Sequence, residues 1–293
     1  MDNFLDRVLQ NPRNYRQFQC GHSLITAFTC PMEARMMKTQ FADLWTRYNY
    51  LFYVIDGQKT WHTAKGSYHL QKDSCVFVRK GGFILEQIAD IGFCVMLFFI
   101  PDEFICETLQ TRTRPLVNYE QHFEPVMMLE SSETLKGFFL SMYTYYTESK
   151  EPDPALLAIK FRELVLNVAD NSANRELLSY FCSLLHEPQA VQLKRVMEDN
   201  FCYNLRLEAY AELCNRSLSA FKRDFERSFG TSPGKWLLER RLEHALELLS
   251  NRNKGVSEAA FESGFESSSH FSRAFKKRFG KGPMEIRKEK GHL

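Results

Sequence analysis

The sequence predicts a chain of two domains: a β-rich N-terminal barrel or sandwich with flanking helices, and an all-helical C-terminal domain with two helix-turn-helix units. Three observations predict this fold class. Short alternating apolar segments fill the first 110 residues, helical periodicity replaces them from about residue 125, and a phenylalanine-rich motif recurs after 50 residues. A chain of 293 residues is long for one domain and suits two.

The β-rich part rests on segments of strand length that are separated by turn residues. The segment "LFYVIDGQKTWHT" alternates and breaks at Asp56–Gly57, a dipeptide typical of hairpins. Further turns are predicted near Lys72–Asp73 and Gly81–Gly82. The run "GFCVMLFFIP" is apolar throughout, which predicts a strand buried on both faces. Short strands at this spacing are typical of a sandwich or small barrel.

Three amphipathic helices are predicted after the strands, at about residues 127–148 and 154–170 and in the segment "NRELLSYFCSLLHEP". The segments "DNSAN" and "HEP" interrupt the pattern there. We therefore predict an N-terminal sensor and dimerisation domain at 1–175, a linker at 176–189 and a DNA-binding domain at 190–293.

Composition and charge limit the class of protein. The eight cysteines form no C-x-x-C motif and are expected to be reduced, mostly buried thiols. No apolar run approaches the roughly 20 residues that span a bilayer, and the N-terminus lacks a secretory signal, so a cytoplasmic location is predicted. Residues 1–189 carry 18 Lys and Arg against 22 Asp and Glu, a net charge of −4. Residues 190–293 carry 20 against 14, a net charge of +6, which indicates an anionic partner.

The repeat places matched residues 50 positions apart. Three phenylalanines and a Gly and Pro that follow them recur together: Phe221, Phe225, Phe229, Gly230 and Pro233 as Phe271, Phe275, Phe279, Gly280 and Pro283. Phenylalanines four residues apart share one helical stripe and face a core. Each copy reads as a short helix, a turn and a second helix, which is the helix-turn-helix pattern. A connecting helix of about 22 Å, with its turns, would place the two second helices about 34 Å apart, one turn of DNA.

Residues 190–293 resemble the DNA-binding domain of the AraC/XylS family of bacterial transcription regulators. The residues that carry this resemblance are "GFESSSHFSRAFKKRFGKGP", preceded by "VSEAA", and "FKRDFERSFGTSPGKWLLERRLEHALELL" in the first copy. The resemblance implies two reading helices, the first from about Ser217 to Phe229, that enter adjacent major-groove segments.

The resemblance also implies roles for individual residues. Base contacts are expected from Ser219, Lys222, Arg223, Ser268, Ser269, His270 and Arg273. Phosphate contacts are expected from Arg227, Lys276 and Lys277. Capping of the helix start is the rival role for His270, and Ser267 is expected to be an N-cap. The acidic Asp224 and Glu226 depart from the family pattern, so the first reading helix is expected to contribute less to DNA affinity than the second.

The first domain resembles the cupin-type sensor of many AraC-family members, through "YVIDGQKTWHTAKGSYHLQKDSCVFVRKGG". Cupin enzymes hold a metal with several histidines and a carboxylate. This chain offers His62 and His69 without the other ligands, so no cofactor or metal and no enzymatic activity are expected. A cupin-type metalloenzyme fused to a DNA-binding tail is the alternative, and metal analysis of the purified protein separates the two.

A looser resemblance links "FVRKGGFILEQI", "CVMLFFIP" and "LAIKFRELVLNVADNS" to the branch of ExsA-like type III secretion activators. In that branch the first domain self-associates and can bind a regulatory protein. Dimerisation is predicted through the helices near 127–148 and 154–170, although these helices could instead only cover the barrel. The residues predicted there are Phe139, Met142, Tyr143, Tyr146, Leu157, Phe161 and Leu164.

Together these features predict a sequence-specific transcription regulator of the activator type that forms a homodimer. Its predicted partners are double-stranded DNA, RNA polymerase, and a small-molecule effector or regulatory protein at the first domain.

Overall fold

The computed structural model describes residues 1–21, 23–30, 41–63, 66–86, 93–117, 123–148, 151–250 and 254–289. The chain forms two compact units, Asp2–Glu187 and the part from Pro188 onward. No helix among the described residues is long and apolar enough to cross a membrane.

The N-terminal unit contains strands and five helices in its described part. The strands are β1 Asp2–Asn3, β2 Arg16–Cys20, β3 Leu24–Thr29, β4 Phe41–Thr46, β5 Asn49–Asp56, β6 Gln58–Thr63, β7 Gly66–Gln71, β8 Cys75–Val78, β9 Gly81–Glu86, β10 Cys94–Ile100 and β11 Val126–Leu129. The helices are α1 Phe4–Leu9, α2 Asp102–Gln110, α3 Glu133–Thr147, α4 Pro154–Asp170 and α5 Arg175–His186.

The strands form a sandwich with a helical layer on one side. A six-stranded sheet has the order β11-β8-β5-β10-β3-β2, and a three-stranded sheet has the order β1-β4-β9. Alternate residues of β10 lie in two separate cores. Val95, Leu97 and Phe99 belong to the first, which includes Leu44 and Phe83 of the three-stranded sheet. Strand β10 is buried along its whole length, as the apolar run predicts.

The opposite face of the six-stranded sheet packs on the helices. Met96 and Phe98 of β10 share a core with Phe139 of α3, Phe161 of α4 and Tyr180 of α5. The ring of Phe98 lies 5.8 Å from each of the Phe139 and Phe161 rings. The β-rich fold with flanking helices is therefore confirmed, in its sandwich form.

Two turn predictions meet different outcomes. The Lys72–Asp73 turn is present, and Asp73 has a φ of 69°. The hairpin predicted at Asp56–Gly57 is wrong, because β5 pairs with β8 and β10 while β6 pairs with β7 in a separate two-stranded sheet. Gly57, with φ of 88°, instead lies where the chain leaves one sheet for the other.

One helix prediction and the linker prediction are corrected. Residues Val126–Leu129 are strand β11, which pairs antiparallel with β8, so the helix begins only at Glu133 after the Ser132 cap. The linker predicted at 176–189 is wrong for most of its length, because Arg175–His186 is helix α5. Tyr180 and Phe181 of α5 are buried in the N-terminal core. This burial makes α5 part of the N-terminal unit, despite the polar segment "DNSAN" before it.

The prediction that all cysteines are free thiols is also wrong. Cys30 and Cys94, on neighbouring strands, form a disulfide. The other six cysteines are not part of a disulfide, and each of them is buried or partly exposed.

The C-terminal unit is helical throughout its described part. Its helices are α6 Gln189–Asn200, α7 Leu207–Leu213, α8 Leu218–Phe229, α9 Pro233–Ser250, α10 Val256–Glu262, α11 Ser268–Phe279 and α12 Pro283–Glu289. Helices α7 and α8 form the first helix-turn-helix unit, and α10 and α11 form the second. Helix α9 connects them and, with 18 residues, is about 27 Å long.

Candidate DNA-binding surface

The reading helices are α8 and α11, and their phenylalanines fix which face points outward. Phe221 and Phe225 of α8, and Phe271 and Phe275 of α11, are fully buried. Each helix begins after a serine whose hydroxyl accepts a backbone N–H, Ser217 from Ala220 and Ser267 from His270. The predicted cap at Ser267 is thereby confirmed.

The residues predicted to contact bases lie on the outward face. Ser219, Lys222 and Arg223 of α8 are exposed, as are Ser269, His270 and Arg273 of α11, and Ser268 is partly exposed. The predicted phosphate contacts Arg227, Lys276 and Lys277 are exposed as well. Exposure permits these roles without assigning them, so the contacts remain predictions.

Side chains from both helix-turn-helix units line one cleft. Lys222 of α8 lies on it together with Ser267 and His270 of α11 and Arg241 of α9. The structure thus brings together predicted base contacts from the two repeats. The His270 ring also lies edge-on to the ring of Phe265, with 5.8 Å between centroids.

Asp224 has a structural role that the sequence does not reveal. Its carboxylate accepts a hydrogen bond from the Arg216 guanidinium, and the two side chains are only 15% and 16% exposed. Arg227 Nη2 lies 3.1 Å from the same carboxylate, and Arg223 Nε lies 3.6 Å from it. The acidic residue therefore ties the turn to α8 and partly neutralises two predicted DNA contacts, instead of presenting an isolated negative charge.

The two turns differ by one residue, although the reading helices are 50 positions apart throughout. The left-handed residue is Asn215 in the first turn, two positions before the Ser217 cap, and Gly264 in the second, three positions before Ser267. The residue after each of these closes the turn with a backbone hydrogen bond, Arg216 to Ala211 and Phe265 to Ala260.

The residues at these matched positions hold the reading helices by different chemistry. Arg216 pairs with Asp224 of α8, whereas the ring of Phe265 packs 5.1 Å from the ring of Phe271 of α11. Gly264 is required at its position, because a Cβ there would lie 2.6 Å from the carbonyl oxygen of Cys202.

Helix α9 fixes the surrounding segments. Arg241 Nε donates to the Phe201 carbonyl at 2.7 Å, and its Nη2 donates to the Tyr203 carbonyl at 2.9 Å. Arg240 pairs with Glu198 of α6 at 2.9 Å. The roles of Arg216 and Arg241 were not predictable from the sequence, because the turn geometry and the packing of α9 determine their partners.

The predicted dimerisation residues lie mainly inside their own unit. Tyr143 is partly exposed. The other six are at most 4% exposed: Phe139, Met142, Tyr146, Leu157, Phe161 and Leu164. Side chains this deeply buried have no surface to offer a second chain, so these assignments are corrected. The exposed apolar residues of the same two helices are Leu140, Leu156 and Ile159.

The histidines considered as metal ligands lie on the small hairpin. His69 of β7 is exposed and pairs in register with Thr60 of β6, and His62 pairs with Ser67. The side chain of His62 lies outside the residues whose side chains the structure describes. Among the described residues, no group of three or more His, Cys, Asp or Glu is placed to hold a metal ion.

Two protein families match the chain, one in each unit. The family described as "ExsA N-terminal regulatory domain" matches residues 49–180, and the family described as "Helix-turn-helix domain" matches residues 210–289. The first match ends inside α5, and the second includes α8 and α11 in full.

The chain is similar along most of its length to known regulators. VirF of Yersinia enterocolitica, a virulence regulon transcriptional activator, is 26% identical over 81% of this chain and 88% of VirF. The transcriptional regulator ExsA of Pseudomonas aeruginosa is 25% identical over 82% of this chain and 86% of ExsA. A crystal structure of apo ToxT from Vibrio cholerae is 14% identical, with a TM-score of 0.44 over 92% of this chain and 98% of ToxT.

Proposed function

The chain belongs to the AraC/XylS family of transcription regulators, and from that premise we propose that it activates transcription by binding specific DNA sequences. The observation that carries the proposal is the pair of helix-turn-helix units whose reading helices expose basic and polar side chains. Each such helix fits the major groove, and α9 sets their separation. The VirF and ExsA relatives are themselves named as transcriptional regulators.

The outward residues divide by the chemistry they can perform. Arg223 and Arg273 can donate two parallel hydrogen bonds to guanine O6 and N7, whereas the serines and His270 read bases less selectively. Lys276, Lys277 and Arg227 supply charge to phosphates. Lys276 and Lys277 also lie in the last turn of α11, where positive charge favours the helix.

The N-terminal unit supplies regulation in this proposal. Its match to a regulatory domain supports control by a small-molecule effector or a regulatory protein, and we assign homodimerisation to the same unit. RNA polymerase is the partner that activation requires, and the cytoplasm is the compartment in which the chain would meet its DNA.

Selection of bound DNA from a random pool tests the proposed function. The full chain is expected to enrich one motif with two blocks of base preference about one helical turn apart. Enrichment of no motif, with binding to all DNA alike, would contradict sequence-specific regulation. Repeating the selection with cell extract tests for an effector, and metal analysis of the same protein tests the metalloenzyme alternative.

A further inference from the structure

Two cysteines face each other across neighbouring strands of the N-terminal sheet. Strands β3 and β10 run antiparallel with Thr29 opposite Val95, so the next pair outward is Cys30 and Cys94. Their Cα atoms are 4.1 Å apart and their sulfurs are bonded. Directly opposed residues of antiparallel strands have Cα atoms about 4.5–5.5 Å apart, so strand register alone brings the two thiols together.

The pair is accessible from one side only. Cys30 is exposed and Cys94 is 7% exposed. All eight cysteines lie within the described residues, and Cys30 is the exposed one. Burial raises the pKa of the Cys75 thiol, and burial together with nearby Asp102 and Glu103 raises that of Cys106 to about 11. A thiol with a raised pKa holds little thiolate at neutral pH, so the Cys75 and Cys106 sulfurs are less suited to exchange.

The compartment decides what kind of disulfide this is. A DNA-binding regulator works where glutathione keeps thiols reduced, and disulfides that form there are mostly transient or redox-sensing. We propose that Cys30 and Cys94 are a reversible redox modification site, oxidised by a low-molecular-weight disulfide of the glutathione type. This step rests on the proposed function, because that function places the chain in a reducing compartment.

The exchange proceeds in two balanced steps. The exposed Cys30 thiolate attacks one sulfur of glutathione disulfide, which forms a mixed disulfide and releases one glutathione thiolate. The Cys94 thiolate then attacks Cys30 Sγ and releases the second glutathione. Two cysteine thiols lose two electrons and two protons in total, and one glutathione disulfide becomes two molecules of glutathione.

Counting free thiols tests the site directly. The full chain is equilibrated in glutathione buffers of graded composition, quenched with acid, denatured and alkylated, and its intact mass is measured. We expect eight alkylated thiols in excess reduced glutathione and six in excess glutathione disulfide. Peptide mapping should then find residue 30 linked to residue 94. The disulfide should be lost again when reduced glutathione is restored.

Three substitutions make the test specific. Cys30→Ser should keep seven alkylated thiols under both conditions. Cys94→Ser should stop at the mixed disulfide and fall from seven alkylated thiols to six, with one glutathione added to its mass. The matched control Cys20→Ser should fall from seven to five. Loss of two thiols in Cys30→Ser or Cys94→Ser would overturn the assignment. Eight free thiols in the wild type under every condition would overturn it too, and a disulfide that persists in excess reduced glutathione would overturn its reversibility.

Binding to the selected DNA motif is measured on the same samples. A chain that binds the motif but never forms the disulfide overturns only the redox site. A chain that forms the disulfide but binds no motif overturns only the proposed function.

Discussion

At the scale of single residues, Arg273 and Lys277 separate base contacts from phosphate contacts within one helix. Both side chains are exposed on α11. Arg273→Ala is expected to lower specific affinity by about 1–3 kcal/mol and to relax preference at one base position. Lys277→Ala is expected to weaken binding to all sequences alike and to reduce the salt slope by about 1. Titrations of the selected motif and of scrambled DNA at several salt concentrations measure both quantities.

The outcome that contradicts these roles is a uniform loss in both variants. Glu266→Ala is a suitable control, because Glu266 is exposed beside the second turn and its carboxylate pairs with Asn204. That variant should leave base preference unchanged.

The Arg216–Asp224 pair predicts a stability effect at the first turn. Asp224→Ala removes the carboxylate from a guanidinium that is only 16% exposed, which is expected to cost about 1–3 kcal/mol. Glu226→Ala, on the exposed face of the same helix, should change stability by no more than about 0.5 kcal/mol. Hydrogen exchange of α8 peptides measures the difference. Equal protection in the two variants would show that the pair does not hold α8.

Residue roles divide into those a local pattern encodes and those it does not. The phenylalanine stripes and the Ser267 cap follow from spacing along one helix, and the structure confirms them. The pairing of Asp224 with Arg216 depends on the turn geometry, which differs by one residue between copies. Formal charge alone therefore predicted weaker DNA binding by α8, whereas in the structure the Asp224 carboxylate is paired with Arg216.

At the scale of elements, α3 and α4 show how a correct helix prediction can assign the wrong residues to an interface. The apolar stripe of each helix was counted as surplus, but apart from the partly exposed Tyr143 its predicted residues are buried in the core beneath the six-stranded sheet. Which apolar face remains uncovered depends on packing between elements, and sequence periodicity does not contain that information. The helix predicted at Val126–Leu129 and the linker predicted over α5 were wrong for the same reason, since pairing with β8 and burial in the N-terminal core determine these segments.

The residues left outside on these helices carry the dimerisation prediction. Leu140 is 68% exposed and Ile159 is 62% exposed. If α3 and α4 form the dimer contact, Leu140→Glu and Ile159→Glu should each raise the dimer dissociation constant at least tenfold, because a carboxylate would be buried in the interface. Sedimentation equilibrium measures that constant.

The matched control is Val117→Glu, an exposed apolar residue outside both helices. It should leave the dissociation constant unchanged. Dimers that are unaffected by Leu140→Glu and Ile159→Glu would move the interface away from α3 and α4.

Helix α5 is joined to the sheet by a buried polar network. Asn49 is fully buried, its Nδ2 donates to Asp102 at 2.6 Å, and its Oδ1 accepts from the Tyr180 hydroxyl at 2.9 Å. Lys80 pairs with the same Asp102 at 2.6 Å, and its backbone N–H donates to Asn49 Oδ1. The network therefore connects β5, α2 and α5, the last helix before Pro188.

Substitutions in this network should differ in size. Tyr180→Phe removes one hydroxyl and is expected to cost about 1 kcal/mol, since Asn49 Oδ1 keeps its bond from Lys80. Asn49→Ala leaves several buried partners unsatisfied and should cost more, about 2–4 kcal/mol. Hydrogen exchange of α5 peptides measures both. Unchanged α5 protection in Asn49→Ala would show that apolar packing alone holds the helix.

At the scale of the whole molecule, the chain consists of two units whose boundary lies at 187/188. The two-domain organisation was predictable because the hydrophobic period changes once, from two to 3.6 residues. The exact boundary was not predictable. The polar segment "DNSAN" before α5 and the short length of this helix are typical of a linker, whereas its buried aromatic residues belong to the first unit.

The last prediction concerns the independence of the C-terminal unit. Its two helix-turn-helix units have their own cores around Phe225 and Phe275, and α9 links them within the unit. A fragment that begins at Pro188 should therefore fold and bind the selected motif as a monomer. Its affinity should be lower than that of a dimeric full chain, because linked binding sites raise the effective concentration of the second site.

The substitution Arg273→Ala provides the internal control for that fragment. If the fragment reads DNA as the full chain does, this change should reduce specific binding by the same factor in both, since the contact lies entirely within the unit. A fragment that is folded by circular dichroism yet binds no sequence from the random pool would show that base recognition requires the N-terminal unit. In that case the separation into a regulatory unit and a self-sufficient DNA reader would be wrong.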